Sequence, residues 1–280
     1  MKQQVLYFLL IIVVAVSSCS KEWTYESAKN VVANDTIISQ GNPTYRDTVL
    51  IIPPIFPPFK FEDNELNYDE QEVVLYSKFL PYKVVSPIFY ELIDKNLSDQ
   101  YYISDNEAKR VIEISVGILR SVTEKYKKEG KFVVIIGEQY GFYYLLQSFT
   151  KNEIDADKYI FVGDKLNIDD KIVSGFSNYK FTFADENGNI REAKYIQNKK
   201  MWAALKVYSN LISPNYLQIL KERQSIDKIQ VLFLVERSVV FGKLSSEEIN
   251  FYKQPNLNSY FDEDLSYDRY DNIMNFIRSK

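Results

Sequence analysis

Apolar positions fall along this chain in two alternating rhythms. Short unbroken runs rich in β-branched and aromatic residues occur at Thr48-Val49-Leu50-Ile51-Ile52, Phe132-Val133-Val134-Ile135-Ile136, Tyr159-Ile160-Phe161-Val162 and Val231-Leu232-Phe233-Leu234-Val235. Such runs read as strands buried on both faces. Tyr82 to Pro87 reads as a further short strand. Between the strands the apolar residues recur at helical spacing. Val73, Val74, Tyr76 and Phe79 mark a helix over 67–80. Val111, Ile112, Ile118, Leu119, Val122 and Tyr126 stripe one face of a helix over 105–129, opened by a capping box at Ser104 and Glu107 and stopped by Gly130. Another helix starts near Gly141, a second capping box at Ser245 and Glu248 opens one more, and a last helix runs from Tyr267 to Arg278.

Strands alternating with amphipathic helices predict an α/β fold, a mostly parallel sheet flanked by helices. A long insertion, about 166–225, separates the strands at 159 and 231. It predicts a hairpin, with Phe181 and Phe183 before the turn Asn187-Gly188 and Ile190 after it, then a helix over Met201 to Leu211.

The N-terminus follows different rules. Met1-Lys2 precedes an unbroken apolar run from Val5 to Val16, shorter than the roughly twenty residues a spanning helix needs. A charged start, a short apolar stretch and small residues make a secretory signal peptide. Its end, Val16-Ser17-Ser18-Cys19, resembles the lipobox of bacterial lipoproteins. The resemblance implies cleavage after Ser18, acylation of Cys19 and a partner in the membrane lipid. Several acyl chains make such an anchor stable. The expected place is the cell envelope, at the outer membrane. Ser20-Lys21-Glu22 resembles the short charged tags of surface lipoproteins, which leaves both membrane faces open. The chain then divides into a signal peptide (1–18), a tether with a possible edge strand (19–45) and one domain (46–280). Cys19 is the only cysteine, so stability must come from the core.

Composition narrows the chemistry. A 46% hydrophobic and 26% charged content is that of a globular protein. A net charge of −4 argues against nucleic acid as a partner. With 22 Tyr and 18 Phe there is material for both an aromatic core and a binding surface. There is no histidine.

The strand at 132–136 enters Gly137-Glu138-Gln139-Tyr140-Gly141 and then a helix. This strand, turn and helix resemble the nucleophile elbow of the α/β-hydrolases, G-x-S-x-G. Over residues 46–280 the resemblance implies a three-layer sandwich with an inserted lid. It also implies a serine where Gln139 stands, a histidine near Ser259-Tyr260-Phe261-Asp262, and an acid near Glu236-Arg237-Ser238. Gln139 is not a usable nucleophile and the general base is missing. The loop after the first strand, which should supply an oxyanion donor, carries Pro53-Pro54 and Pro57-Pro58, and proline has no N–H. The expectation is therefore a degenerate hydrolase, a pseudoenzyme that binds a glycan, a peptide or an envelope protein, with Gln139 and Tyr140 as binding candidates. It needs no cofactor and no metal.

The alternative is a hydrolase with a non-standard site. Glu138, Asp164 and Glu236 fall at strand ends on the ligand-binding edge of such a sheet. Gly175-Phe176-Ser177 is the nearest context for a Ser–Lys dyad, but no strand leads into it. Asp262-Glu263-Asp264 lacks the spaced ligands of a calcium loop and reads as a solvated helix start. Phe176, Tyr179, Phe181, Phe183, Tyr195 and Trp202 in the insertion either pack the lid or present a stacking surface. In a third reading the cleft is filled by the protein's own side chains, with Gln139 buried among them.

Overall fold

The computed structural model describes residues 36–39, 47–55, 80–87, 89, 102–163, 165–185, 187–193, 200–223, 229–236, 240–261 and 268–279. The strands are β1 (Thr36–Ser39), β2 (Thr48–Ile51), β3 (Lys83–Pro87), β4 (Phe132–Glu138), β5 (Lys158–Gly163), β6 (Thr182–Ala184), β7 (Ile190–Glu192), β8 (Val231–Val235) and β9 (Asn258–Phe261). The helices are α1 (Asp105–Lys128), α2 (Tyr140–Thr150), α3 (Asp170–Ser177), α4 (Lys200–Ile212), α5 (Tyr216–Glu222), α6 (Ser246–Tyr252) and α7 (Arg269–Arg278). The signal peptide, Cys19, residues 67–79 of the expected helix, Asp164, Tyr195 and the 262–264 acidic run lie outside the described residues.

Seven strands form one sheet in the order β1-β3-β2-β4-β5-β8-β9. Only β1 is antiparallel, against β3; every other neighbouring pair is parallel. Alternation along each strand divides the side chains between two cores. Val49, Ile51, Val133, Ile135, Phe161 and Phe233 meet α1, α2 and the insertion on one face. Leu50, Val134, Ile136, Ile160, Leu232 and Leu234 meet Ile273, Phe276 and Ile277 of α7 on the other. Helices on both faces of this sheet make the α/β-hydrolase-like three-layer sandwich. Both predicted capping boxes are present, at Ser104–Glu107 and Ser245–Glu248.

The insertion follows β5. It contains α3, the hairpin β6–β7, α4 and α5, with β6 and β7 paired as a separate two-stranded sheet. One expectation is corrected here. Ser259 to Phe261 runs as strand β9, the sheet's edge, and is not a loop. As expected, no strand leads into Ser177: it ends helix α3, and its hydroxyl accepts from Lys206 Nζ at 2.9 Å.

Candidate functional site

The chain passes from β2 out to β3 and returns to β4 on the far side of β2. Ligand crevices of open α/β sheets form where the strand order reverses like this, beyond the carboxyl ends of the strands. Two segments meet there: Pro53-Pro54-Ile55 after β2, and the elbow after β4.

The elbow has the backbone of a nucleophile turn. Gln139 sits at φ 46°, ψ −104°, a conformation that side-chain-bearing residues rarely adopt. Gly137 and Gly141 make it possible. A Cβ on Gly137 would lie 2.8 Å from the Gly141 carbonyl and 2.8 Å from Leu145 Cβ. One on Gly141 would lie 3.0 Å from the Pro54 carbonyl and 3.1 Å from Pro53 Cβ. The turn pushes Gln139 outward, and it is exposed. The reading in which Gln139 is buried in a self-filled cleft is therefore corrected.

The N–H that follows a nucleophile elbow ordinarily forms half of the oxyanion hole. Here that is the Tyr140 N–H, and it donates to the Ile55 carbonyl at 2.9 Å. The neighbouring Pro53 and Pro54 have no N–H to contribute. The Tyr140 side chain is buried, its ring 5.1 Å from Tyr144 and 5.1 Å from Tyr208 of α4. Tyr208 in turn meets Phe176 at 5.7 Å and Phe241 at 5.9 Å. The aromatic residues of the insertion thus cover the inner side of the elbow, and Phe176 belongs to that packing.

Two of the strand-end carboxylates, Glu138 and Glu236, are engaged. Glu138, the last residue of β4, is buried and paired with the Arg269 guanidinium at the start of α7. Arg269 Nε also lies 3.4 Å from Glu236 Oε1, just past β8. The structure therefore does bring Glu138 and Glu236 together, but through an arginine. A hydrolytic carboxyl pair must hold the scissile bond between its members; here a guanidinium bridges them. Sequence reasoning missed Arg269, although it begins the helix that follows the expected histidine position.

A second ionic cluster ties the insertion to α6. Glu248 is fully buried and accepts from Lys165 Nζ (2.9 Å), the Leu166 N–H (2.9 Å), the Asn167 N–H (3.1 Å), the Ser245 N–H (2.8 Å) and the Ser245 hydroxyl (2.8 Å). Burial pushes the Glu248 carboxyl up, but the donors from Ser245 and Lys165 outweigh it and hold it below its ordinary 4.5.

No protein-family model matches this chain, and no curated protein matches it. Among solved structures it is similar to one from the pair of metagenome-derived lipolytic enzymes LipS and LipT, at 8% identity and a TM-score of 0.46, over 81% of this chain and 86% of that one. It is similar to a lipase-esterase related protein from Clostridium acetobutylicum at 10% identity and 0.46, over 82% and 90%. It is also similar to E-2-(acetamidomethylene)succinate hydrolase at 9% identity and 0.44, over 80% and 85%. None of these likenesses bears on chemistry, and the α/β-hydrolase-like fold rests on the strand order and the elbow themselves.

Proposed function

We propose that this chain is a lipoprotein of the cell envelope, anchored through acylated Cys19, whose α/β-hydrolase-like domain binds a glycan, peptide or envelope protein without hydrolysing it. The observation that carries the reading is the elbow. Its strained backbone presents Gln139 to solvent, and the Tyr140 N–H that would stabilise an oxyanion is spent on the Ile55 carbonyl. A glutamine amide does not attack acyl groups in this scheme, and a chain without histidine lacks the usual proton acceptor. Arg269, bridging Glu138 and Glu236, weighs against the carboxylate alternative.

The test is turnover of an ester, amide and glycoside panel by the full-length protein in detergent. Gln139→Ser, Gln139→Ala and Glu138→Gln variants run alongside, and Cys19→Ser is labelled with palmitate beside the parent. The expected outcome is no turnover above buffer by any of them, the serine variant included, and label on every chain except Cys19→Ser. Turnover by the parent that Gln139→Ala or Glu138→Gln abolishes would overturn the binding reading. Label on Cys19→Ser would overturn the anchor.

A further inference from the structure

We propose that Tyr102, Tyr179 and Trp202 form a stacking platform for a neutral carbohydrate, where the insertion meets the start of α1. The inference rests on the binding reading above and names its ligand class.

Tyr102 is 60% exposed, the most exposed large apolar side chain among the described residues. A lone exposed aromatic needs no explanation, but this one belongs to a group. Its ring lies 4.8 Å from Tyr179 at 86° and 5.1 Å from Trp202 at 50°, and Tyr179 lies 6.3 Å from Trp202. Tyr179 and Trp202 are half-buried.

Backbone strain gives an independent reason to assign the group a purpose. Helix α3 ends in a Schellman turn, with the Lys180 N–H on the Gly175 carbonyl at 2.9 Å and the Tyr179 N–H on Phe176 at 3.0 Å. The residue after the cap of such a turn adopts left-handed backbone and is usually glycine. Here it is Tyr179, at φ 60°. A tyrosine is strained where glycine would be relaxed, so the ring itself is what the position retains. Its hydroxyl donates to the Ile103 carbonyl at 2.7 Å, which fixes the ring beside Tyr102.

The polar rim decides the occupant. Trp202, Lys206 and Asn210 are spaced four apart on α4 and share one face. Asn210 Nδ2 lies 3.4 Å from Asp105 Oδ1, and the Asp105 side chain is 60% exposed. A carboxylate and an amide at the edge of exposed rings suit a ligand with apolar C–H faces and hydroxyl edges. Lys206 Nζ is already engaged with Asp105 at 2.8 Å and with the Ser177 hydroxyl and carbonyl at 2.9 and 3.2 Å. The protein's net charge of −4 disfavours an acidic sugar or a phosphate.

Trp202 and Trp23 are the chain's two tryptophans, so tryptophan emission reports on the platform. The full-length protein in detergent is titrated with cellohexaose, maltohexaose, xylohexaose and mannohexaose, followed by emission and by calorimetry. The expected result is saturable binding of at least one of these sugars. Tyr102→Ala and Tyr179→Gly should each weaken it by about tenfold or more. Tyr179→Gly is the decisive variant, because glycine suits the turn and the relieved backbone offsets part of the lost ring contacts and Ile103 hydrogen bond; a thermal melt confirms that it stays folded. Absence of saturable binding to all four sugars by both methods would overturn the platform. So would undiminished affinity in Tyr179→Gly. Shortening of a bound sugar during incubation would instead overturn the non-catalytic reading, so the two failures are told apart.

Discussion

Gln139 is held where a glutamine is uncomfortable. At φ 46°, ψ −104°, a non-glycine residue carries about 1–3 kcal/mol of backbone strain. The surrounding structure imposes it, since neither Gly137 nor Gly141 has room for a Cβ. Gln139→Gly should therefore raise stability by about 1 kcal/mol, the relief exceeding the entropy that glycine adds to the unfolded chain. Urea denaturation checks this: the midpoint rises with an unchanged slope, whereas Gln139→Val lowers it. An unchanged or lower midpoint for the glycine variant would mean the turn is not strained. The glycine pair and the substituted apex were legible in the sequence because the elbow is local. The Glu138–Arg269 pair was not, because its members stand 131 positions apart. Nor does any sequence pattern show that the Tyr140 N–H faces Ile55.

At the scale of elements, local signals carried well and long-range ones did not. The capping box at Ser245 and Glu248 is a four-residue pattern, and the structure contains it. The same carboxylate also gathers the Leu166 and Asn167 N–H groups from the start of the insertion, 82 and 81 positions away, which no local pattern encodes. Strand β9 escaped notice because Asn258 and Tyr260 are exposed and Ser259 and Phe261 only half-covered, so it lacks the apolar run of the central strands. Glu248 yields a pH prediction. Its folded pKa lies below the ordinary 4.5, so at low pH the unfolded chain binds more protons than the folded one. The stabilisation is complete above the unfolded value and is lost as pH falls through the lower folded one. Glu248→Gln should cost about 3 kcal/mol at neutral pH, because it leaves Lys165 without its buried carboxylate partner. It should also flatten the fall in stability expected of the parent below pH 4.5. Denaturation midpoints across that range test both, and an acid limb as steep in the variant as in the parent would remove Glu248 from the account.

Among the described residues the two faces of the sheet are covered unequally. One face of the sheet carries α1, α2 and the packed insertion. Among the described residues the helix on the other face is α7, which sends Ile273, Phe276 and Ile277 onto Leu232, Leu234 and their neighbours. Its ends are fastened by charge. Arg269 grips Glu138 and Glu236 at the start. The buried Lys158 ammonium donates to the carbonyls of Phe276 (2.6 Å) and Ser279 (2.5 Å) at the end, the favourable place for a cation on a helix. That ammonium is taken out of water, and burial lowers its pKa, so the contact offsets a desolvation cost before it stabilises anything. A ten-residue helix secured by three buried apolar side chains, two partly buried ones (Tyr270 and Met274) and two costly charges should open before the sheet does. Native-state hydrogen exchange should show the α7 amides exchanging through an opening of lower free energy than those of α1. Ile273 is fully buried, and Ile273→Ala should cost about 3 kcal/mol, widening that gap while leaving the α1 amides the most protected. If α7 instead exchanged only with global unfolding, in parent and variant alike, the sandwich would be a single cooperative unit. The Arg269 bridge would then be as permanent as the sheet it crosses.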